Sequence, residues 1–141
     1  MSPSKHTILI VSPESSDRER IAKICGEVAT QTGLSLSVRE EQDGLAAEDA
    51  VKAHKPALVV SEVLLDHQGG LEFARRIRSK TEGPQPRLIF VSHLASDMDR
   101  YWGLRCGAQA YVAKPFEDAL LRDKITRILK DPTYTEAGKP G

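Results

Sequence analysis

The chain has 141 residues, 40% of them apolar and 28% charged, and its 20 basic residues balance its 20 acidic ones. This length suits one domain with a full core, and the charge balance favours neither nucleic acid nor an anionic membrane as a partner. Two cysteines, Cys25 and Cys106, are too few for a secreted-type disulfide framework, and we expect both in the core. Since no apolar run reaches the length of a membrane span, we expect a cytoplasmic protein.

Apolar runs and amphipathic stretches alternate from the start of the chain. HTILIV (6–11) is β-branched and predicts a strand buried on both faces. The stretch 12–29 has apolar residues at i, i+3, i+4 and i+7, which predicts a helix with Ser15 or Ser16 as its N-cap. LSLSV (34–38) alternates in the manner of a half-buried strand.

The middle of the chain repeats this order. LAAEDAVKAH (45–54) predicts a helix that ends before a Lys-Pro pair, and ALVVSEV (57–63) predicts a third strand. LLDHQGG (64–70) reads as a loop, and LEFARRIRSK (71–80) as an amphipathic helix whose arginines we expect on a solvated face. TEGPQP (81–86) is a loop rich in residues that break regular structure.

Two further strand and helix pairs complete the pattern. RLIFVS (87–92) and QAYVA (109–113) predict the fourth and fifth strands. ASDMDRYWGLRC (95–106) predicts the helix between them, and EDALLRDKITRILK (117–130) predicts a closing helix with one apolar face. The last eleven residues, 131–141, have the composition of a flexible tail or the start of a linker.

Five strands alternating with five helices predict an α/β domain, a doubly wound parallel sheet with helices on both faces. We expect this domain to cover residues 7–130, after an N-terminal tail at 1–6. The working site of such a sheet lies at the carboxyl ends of its strands, near the switch in strand order. The residues found there are Ser12, Pro13, Glu14, Glu62, Ser92, His93 and Lys114.

These strand ends carry a resemblance to a known family. The segments ILIV with its polar turn, KPALVVSEVLLDHQGGLEF, VSHLAS and GAQAYVAKPF resemble the receiver domain of two-component response regulators, the family of the chemotaxis regulator CheY. The resemblance covers residues 6–130 and implies a flavodoxin-like (β/α)5 fold. DRYWGLRCGAQAYVAKPF is most similar to single-domain regulators of twitching motility and related chemotaxis-like systems.

The resemblance also implies a chemistry. A receiver accepts a phosphoryl group from a histidine kinase on an aspartate after the third strand, and an acidic pair after the first strand helps to hold Mg²⁺. Matched by position, Ser92 is the hydroxyl that bonds the phosphate, Lys114 is the phosphate-binding lysine and Tyr111 is the switch aromatic. Pro115 follows a peptide bond that is usually cis in the family.

The first half of the implied pocket departs from the family. Ser12 and Pro13 stand where the acidic pair belongs, with Glu14 one residue further along, and Glu62 stands at the phosphoacceptor position. A hydroxyl is a poor ligand for Mg²⁺ and a proline ring is none, so we expect Mg²⁺ binding to be weak or absent. Without that ion, phosphotransfer should be very slow or absent.

Glu62 is one methylene longer than aspartate, which moves its carboxylate outward by about 1.5 Å. A reacting oxygen misplaced by that distance costs about a hundredfold in rate. The longer side chain also comes nearer to Lys114, and we hypothesise a permanent ion pair that imitates the phosphorylated state. The alternative is that Glu62 is a tolerated polar residue at a solvent-accessible strand end.

Tyr101 and Trp102 are candidates for the output face, which in receivers is formed by the fourth helix, fifth strand and fifth helix. As helix neighbours they point about 100° apart, so we expect one on the sheet and the other exposed as a binding anchor. The alternative is that both are half-buried packing residues. Asp66 and His67, in the loop after the third strand, lack the spacing of a metal site.

The sequence therefore predicts a non-enzymatic signalling module, a degenerate pseudo-receiver without a cofactor that binds a histidine kinase or a downstream effector. A homodimer through the same output face is open, and neither nucleic acid nor a membrane is expected as a partner. One alternative is an active receiver that is phosphorylated through an atypical pocket. Another is a flavodoxin-like site for a small molecule, although SPESSDRER contains no glycine for a phosphate-binding loop.

Overall fold

The computed structural model describes residues 5–80 and 85–137, so the predicted tail and loop residues 1–4, 81–84 and 138–141 lie outside it. The strands are β1 (Lys5–Val11), β2 (Ser35–Glu41), β3 (Leu58–Ser61), β4 (Arg87–Ser92) and β5 (Ala110–Ala113). The helices are α1 (Ser15–Thr32), α2 (Gly44–His54), α3 (Gly70–Lys80), α4 (Asp97–Arg105) and α5 (Asp118–Lys130). The predicted alternation of five strands and five helices is confirmed.

All strands are parallel, and their order across the sheet is β2-β1-β3-β4-β5. The order reverses between β1 and β3, so a crevice opens beyond the carboxyl ends of these two strands. The last residues of β1 and β3, Val11 and Ser61, lie side by side in the register, and so do Ser92 and Ala113 at the ends of β4 and β5. The sheet thus brings the predicted site positions to one edge.

Each face of the sheet is covered by its own apolar cluster. In β1, Ile8 and Ile10 point towards α1 and α5, whereas Leu9 and Val11 point towards α2 and α3. This alternation explains why the central strands are apolar throughout, since both faces are buried. Cys25 and Cys106 are buried free thiols in the two clusters, as predicted, and burial raises the pKa of Cys25 to about 12.

Two element ends differ from the prediction in ways that affect the site. The N-cap of α1 is Glu14, whose side chain makes no capping bond, rather than Ser15 or Ser16. Strand β3 ends at Ser61, so Glu62 lies just beyond the strand, although its amide still donates to the Val11 carbonyl at 2.9 Å. The Glu62 backbone therefore keeps its hydrogen bond to β1, while its side chain lies beyond the end of the sheet.

Residues 131–137, which we call the C-terminal strap, pack against the domain instead of leaving it. Tyr134 lies against the cluster beneath α1 and α5, and the Glu136 amide donates to the Gln109 carbonyl at 2.7 Å. The Glu136 side chain is only 7% exposed. The folded unit thus extends past the boundary that the sequence predicts at residue 130.

The Glu136 carboxylate joins the last three elements of the fold. Its Oε1 accepts hydrogen bonds from the Tyr111 amide of β5 at 3.1 Å and from Arg100 of α4 at 3.2 Å. Its Oε2 accepts from Lys124 of α5 and from the Tyr134 hydroxyl. Because β5 is an edge strand, this carboxylate supplies a partner for an amide that no neighbouring strand reaches.

Replacing Glu136 by Gln should lower the free energy of unfolding at neutral pH by about 2 kcal/mol, because charge-assisted bonds to a buried carboxylate are lost. Burial raises the pKa of Glu136, but the bonds from Lys124 and the Tyr111 amide outweigh it and hold the pKa below 4.5. A depressed pKa stabilises the fold above the unfolded value and loses that contribution as the pH falls.

Denaturant unfolding across the acid range checks this prediction. The difference between the wild type and Glu136→Gln should shrink below pH 4.5. Glu117→Gln is the control, since this exposed side chain makes no capping bond. A gap between wild type and Glu136→Gln that stays constant down to strong acid would contradict the assigned role.

Gly103 of α4 gives a second prediction, because a Cβ there would lie 2.6 Å from a ring carbon of Tyr111 and 3.2 Å from one of Phe90. Gly103→Ala should therefore destabilise the fold by about 1–3 kcal/mol through overpacking. Gly26 of α1 has open space around it, so Gly26→Ala should stabilise the fold by about 1 kcal/mol through helix propensity. Thermal and denaturant unfolding would measure both, and equal effects would contradict the packing argument.

Candidate functional site

Glu62 lies at the mouth of the crevice with both carboxylate oxygens engaged. Its Oε1 accepts a hydrogen bond from the Lys114 ammonium at 2.9 Å. Its Oε2 accepts from the backbone amides of Val63 and Leu64, at 2.5 and 2.9 Å. The side chain is nearly buried, at 8% exposure, so these contacts take the place of hydrogen bonds to water.

Lys114 follows β5 and is the cation of the site. Its amide donates to the Ser92 carbonyl at 2.9 Å, and the Lys114–Pro115 peptide bond is cis. Its ammonium also contacts the Asp17 carboxylate at 2.5 Å, so two carboxylates share one cation. Burial lowers the pKa of Lys114, but the bonds to Asp17 and Glu62 outweigh it, and the pKa is raised.

Asp17 is the site residue that the sequence prediction missed. It lies in the first turn of α1 rather than at a strand end, where the prediction placed the working residues. The signal was available, because Asp17 is four residues before Ile21 and seven before Ile24, which puts it on the apolar face that turns inward. An acidic residue in a first helical turn is also favoured by the helix dipole.

Ser92 lies at the site, but its hydroxyl bonds neither Glu62 nor Lys114. It is fully buried at the end of β4, and its hydroxyl accepts a hydrogen bond from the Leu94 amide at 3.2 Å. Within the described residues, no hydrogen bond joins its side chain to that of Glu62 or Lys114. The hydroxyl therefore interacts with its own loop and with the Tyr111 hydroxyl rather than with the ion pair.

Tyr111 is held inward beneath α4. Its ring packs against Phe90 at a centroid distance of 6.1 Å and lies directly under Gly103. Its hydroxyl donates to the Leu94 carbonyl. Burial raises the pKa of Tyr111, and a hydrogen bond with Ser92 offsets part of that rise. The switch-aromatic position is thus occupied by a buried, hydrogen-bonded ring.

The acidic-pair positions hold no metal-binding arrangement. Ser12 is buried, its hydroxyl accepts from the Glu14 amide at 3.2 Å, and its carbonyl accepts from the Arg18 guanidinium at 2.8 Å. Pro13 and Glu14 are exposed. A fixed positive charge therefore lies beside the place where the family would hold its cation.

These residues do not fit Mg²⁺, the ion that the receiver fold implies. A magnesium site needs several hard oxygen ligands, usually including carboxylates, in a near-octahedral arrangement. Both carboxylates of the crevice, Glu62 and Asp17, are bound to Lys114, and the Ser12 carbonyl is bound to Arg18. Across residues 5–80 and 85–137, no group of three or more His, Cys, Asp or Glu side chains could hold a metal ion.

The remaining candidates lie outside the crevice. His93, Asp66 and His67 are exposed in their loops. Tyr101 and Trp102 are 52% and 46% exposed, and their rings meet edge to face at 5.3 Å. The prediction that one of them packs on the sheet is therefore wrong, because long side chains swing together although their Cα–Cβ bonds diverge.

The fold and its strand ends define a receiver-like pocket. The family described as "Response regulator receiver domain" matches residues 8–126, and the chain belongs to that family. Receiver domains of this family interact with histidine kinases and effectors. No helix in the described part of the chain has the length and apolar character to cross a membrane.

Relatives and solved structures agree with this assignment. The chain is 35% identical over 133 residues to the uncharacterized transcriptional regulatory protein YkoG of Bacillus subtilis, covering 94% of this chain and 55% of that protein. It is 33% identical over 105 residues to the transcriptional regulatory protein CseB of Streptomyces avermitilis, covering 72% and 43%. The chain thus spans about half the length of the curated relatives it matches.

Among solved structures, the chain is similar to the BeF3-activated N-terminal receiver domain of Klebsiella pneumoniae RstA. The TM-score is 0.75 at 26% identity, with 89% of this chain and 99% of that one covered. The chemotaxis response regulator CheY4 of Vibrio cholerae gives 0.74 at 19% identity, with the same coverage of 89% and 99%, and shares the fold.

The cluster of Lys114 with two carboxylates predicts non-additive stability effects. Glu62→Gln or Asp17→Asn alone should lower the free energy of unfolding by about 1–2 kcal/mol, since the other carboxylate still pairs the ammonium. The double variant leaves a nearly buried ammonium without a carboxylate and should cost about 3–5 kcal/mol. Denaturant unfolding of the four proteins measures this coupling.

Glu27→Gln is the matched control for this cycle. Glu27 pairs with Arg122 at 3.3 Å on the surface, so its loss should cost less than about 1 kcal/mol. Strict additivity of the Glu62 and Asp17 effects would mean that the two carboxylates do not share Lys114.

Proposed function

We propose that this receiver domain does not take up a phosphoryl group in the ordinary way and signals by binding other proteins in one fixed state. The observation that carries the proposal is the closed ion pair between Glu62 and Lys114. The lysine that would receive a phosphate already holds a carboxylate of its own chain. The proposed module is a pseudo-receiver rather than an enzyme acting on an external substrate.

Two physical arguments support the loss of phosphotransfer. An attacking oxygen must be free and aimed, whereas the Glu62 oxygens are bound to Lys114 and to two backbone amides. Transfer also needs a cation that offsets charge on the phosphoryl oxygens. Ser12, Pro13 and the neighbouring Arg18 do not provide ligands for one.

Glu62 imitates part of a phosphorylated aspartate. Its carboxylate supplies negative charge to Lys114 and to the amides that follow β3, and these groups would otherwise serve a phosphoryl group. Its contacts do not extend to the hydroxyl of Ser92, which bonds Leu94. We therefore propose that Glu62 fixes one state of the pocket through Lys114 and these amides, without Ser92.

The partner in this proposal is a histidine kinase or a downstream effector that reads the fixed state. Tyr101 and Trp102 on α4 offer exposed rings for such contact. A homodimer through the face of α4, β5 and α5 would have to displace the strap contacts of Glu136. We place the domain in the cytoplasm, where its free thiols would stay reduced. The similarity to twitching-motility regulators stays a prediction.

Amide NMR with Mg²⁺ and beryllofluoride, a mimic of the phosphoryl group, tests the proposal. In the wild type, the signals of Glu62, Ser92, Tyr111 and Lys114 should stay in place, because the crevice offers neither a free acceptor oxygen nor a metal site. Intact-mass spectrometry after incubation with acetyl phosphate should find no added phosphoryl group.

The matched variant carries Ser12→Asp, Pro13→Asp and Glu62→Asp together. It restores the acidic pair and a shorter acceptor, so its pocket signals should shift in a Mg²⁺-dependent way. Concerted shifts of the wild-type pocket signals, or a phosphorylated wild-type mass, would overturn the proposal in favour of an active receiver.

A further inference from the structure

A groove of about 490 Å³ runs between α3 and α4. Its walls combine cationic and aromatic side chains. The lining residues are Arg75, Arg78, Ser79, Trp102, Arg105 and Cys106. Two of the arginines that the sequence placed on a solvated helix face, Arg75 and Arg78, thus line one groove with the exposed Trp102 of the next helix.

The positive charge of this groove is largely unmatched. Among the described residues, no carboxylate lies within ion-pair distance of Arg78 or Arg105. Arg75 has only Glu72 at 3.9 Å, one turn away on the same helix, and both side chains are more than half exposed. Such a pair contributes little, so the groove retains an excess of guanidinium charge on a chain whose net charge is zero.

The groove is also held in shape. The aliphatic stem of Arg78 lies over Gly107, where a Cβ would come within 2.4 Å of it. Gly107 has φ +116°, a conformation that favours glycine, so the close approach is built into the end of α4. Trp102 is supported by the edge of Tyr101. Preorganised side chains lose less freedom on binding.

We propose that the α3–α4 groove binds an acidic segment of a protein partner, with an aromatic or apolar side chain against Trp102. A guanidinium group donates two parallel hydrogen bonds to a carboxylate, and an indole ring offers a large rigid contact surface. This inference rests on the proposed function, because it specifies the surface and the chemistry of the partner that the fixed receiver state would bind.

The charge and size of the groove favour an acidic protein segment over nucleic acid. Nucleic-acid binding draws its affinity from many phosphate contacts along a basic stripe. Here three arginines occupy one short groove, and the chain has as many acidic as basic residues. A free inorganic anion would use the arginines but leave the tryptophan face without a partner.

The test is an NMR titration of the full chain with a capped peptide of aspartate and glutamate around one central phenylalanine. Trp102 is the only tryptophan, so its indole N–H reports on the groove without ambiguity. The indole signal and the amides of Arg78 and Arg105 should shift together and saturate. A peptide in which amides replace the carboxylates should bind about tenfold more weakly or worse.

Two double variants with the same net charge distinguish binding in the groove from non-specific attraction of the acidic peptide to the protein. Arg78→Glu with Arg105→Glu should weaken binding by at least about tenfold. Lys23→Glu with Arg39→Glu changes the net charge by the same amount at exposed positions outside the groove, and should bind like the wild type. Circular dichroism of both variants checks that they fold.

The proposal fails if the indole signal does not move, if both double variants weaken binding equally, or if a single-stranded oligonucleotide displaces the peptide from the groove. These outcomes leave the proposed loss of phosphotransfer intact. Conversely, phosphorylation of the wild type would overturn the proposed function whether or not the peptide binds.

Discussion

The ammonium of Lys114 is the charge around which the strand ends are arranged. A nearly buried cation needs an opposite charge close by, and here it has two, Glu62 from the end of β3 and Asp17 from the first turn of α1. The contacts tie together β3, β5 and α1 across the point where the strand order reverses. In the receiver family, the lysine at this position pairs with a phosphoryl group. Here its ammonium is paired with two carboxylates of its own chain.

The alternation of the chain was enough to predict its elements, because β1, β3 and β4 are apolar on both faces and the helices between them have one apolar side. The positions of Glu62, Ser92 and Lys114 could also be predicted, since parallel strands end at one edge of a sheet. Asp17 and Glu136 could not be placed in the same way. Asp17 depends on how α1 turns over the crevice, and Glu136 bonds an amide 25 residues away.

Helix α4 shows how a short element serves several neighbours at once. Gly103 faces inward and makes room for Tyr111, Arg100 reaches the strap, and the residues that line the groove face α3. Trp102 and Arg105 are three residues apart and share the side that lines the groove, whereas Gly103, next to Trp102 in the helix, points about 100° away towards the sheet. The exposed aromatic pair adds a surface that the spacing rule alone does not predict, because ring contact depends on side-chain length.

The C-terminal strap has a consequence for the behaviour of the sheet in concentrated solution. An open edge strand presents unpaired N–H and C=O groups that can template the addition of a strand from another molecule. On β5, the Tyr111 amide is bonded to Glu136 and its carbonyl to Arg100, so this edge offers few groups for such pairing. At the opposite edge, β2 ends in Arg39, Glu40 and Glu41, whose charges oppose pairing with a strand of another molecule. Both borders of the sheet are thereby protected against aggregation through strand addition.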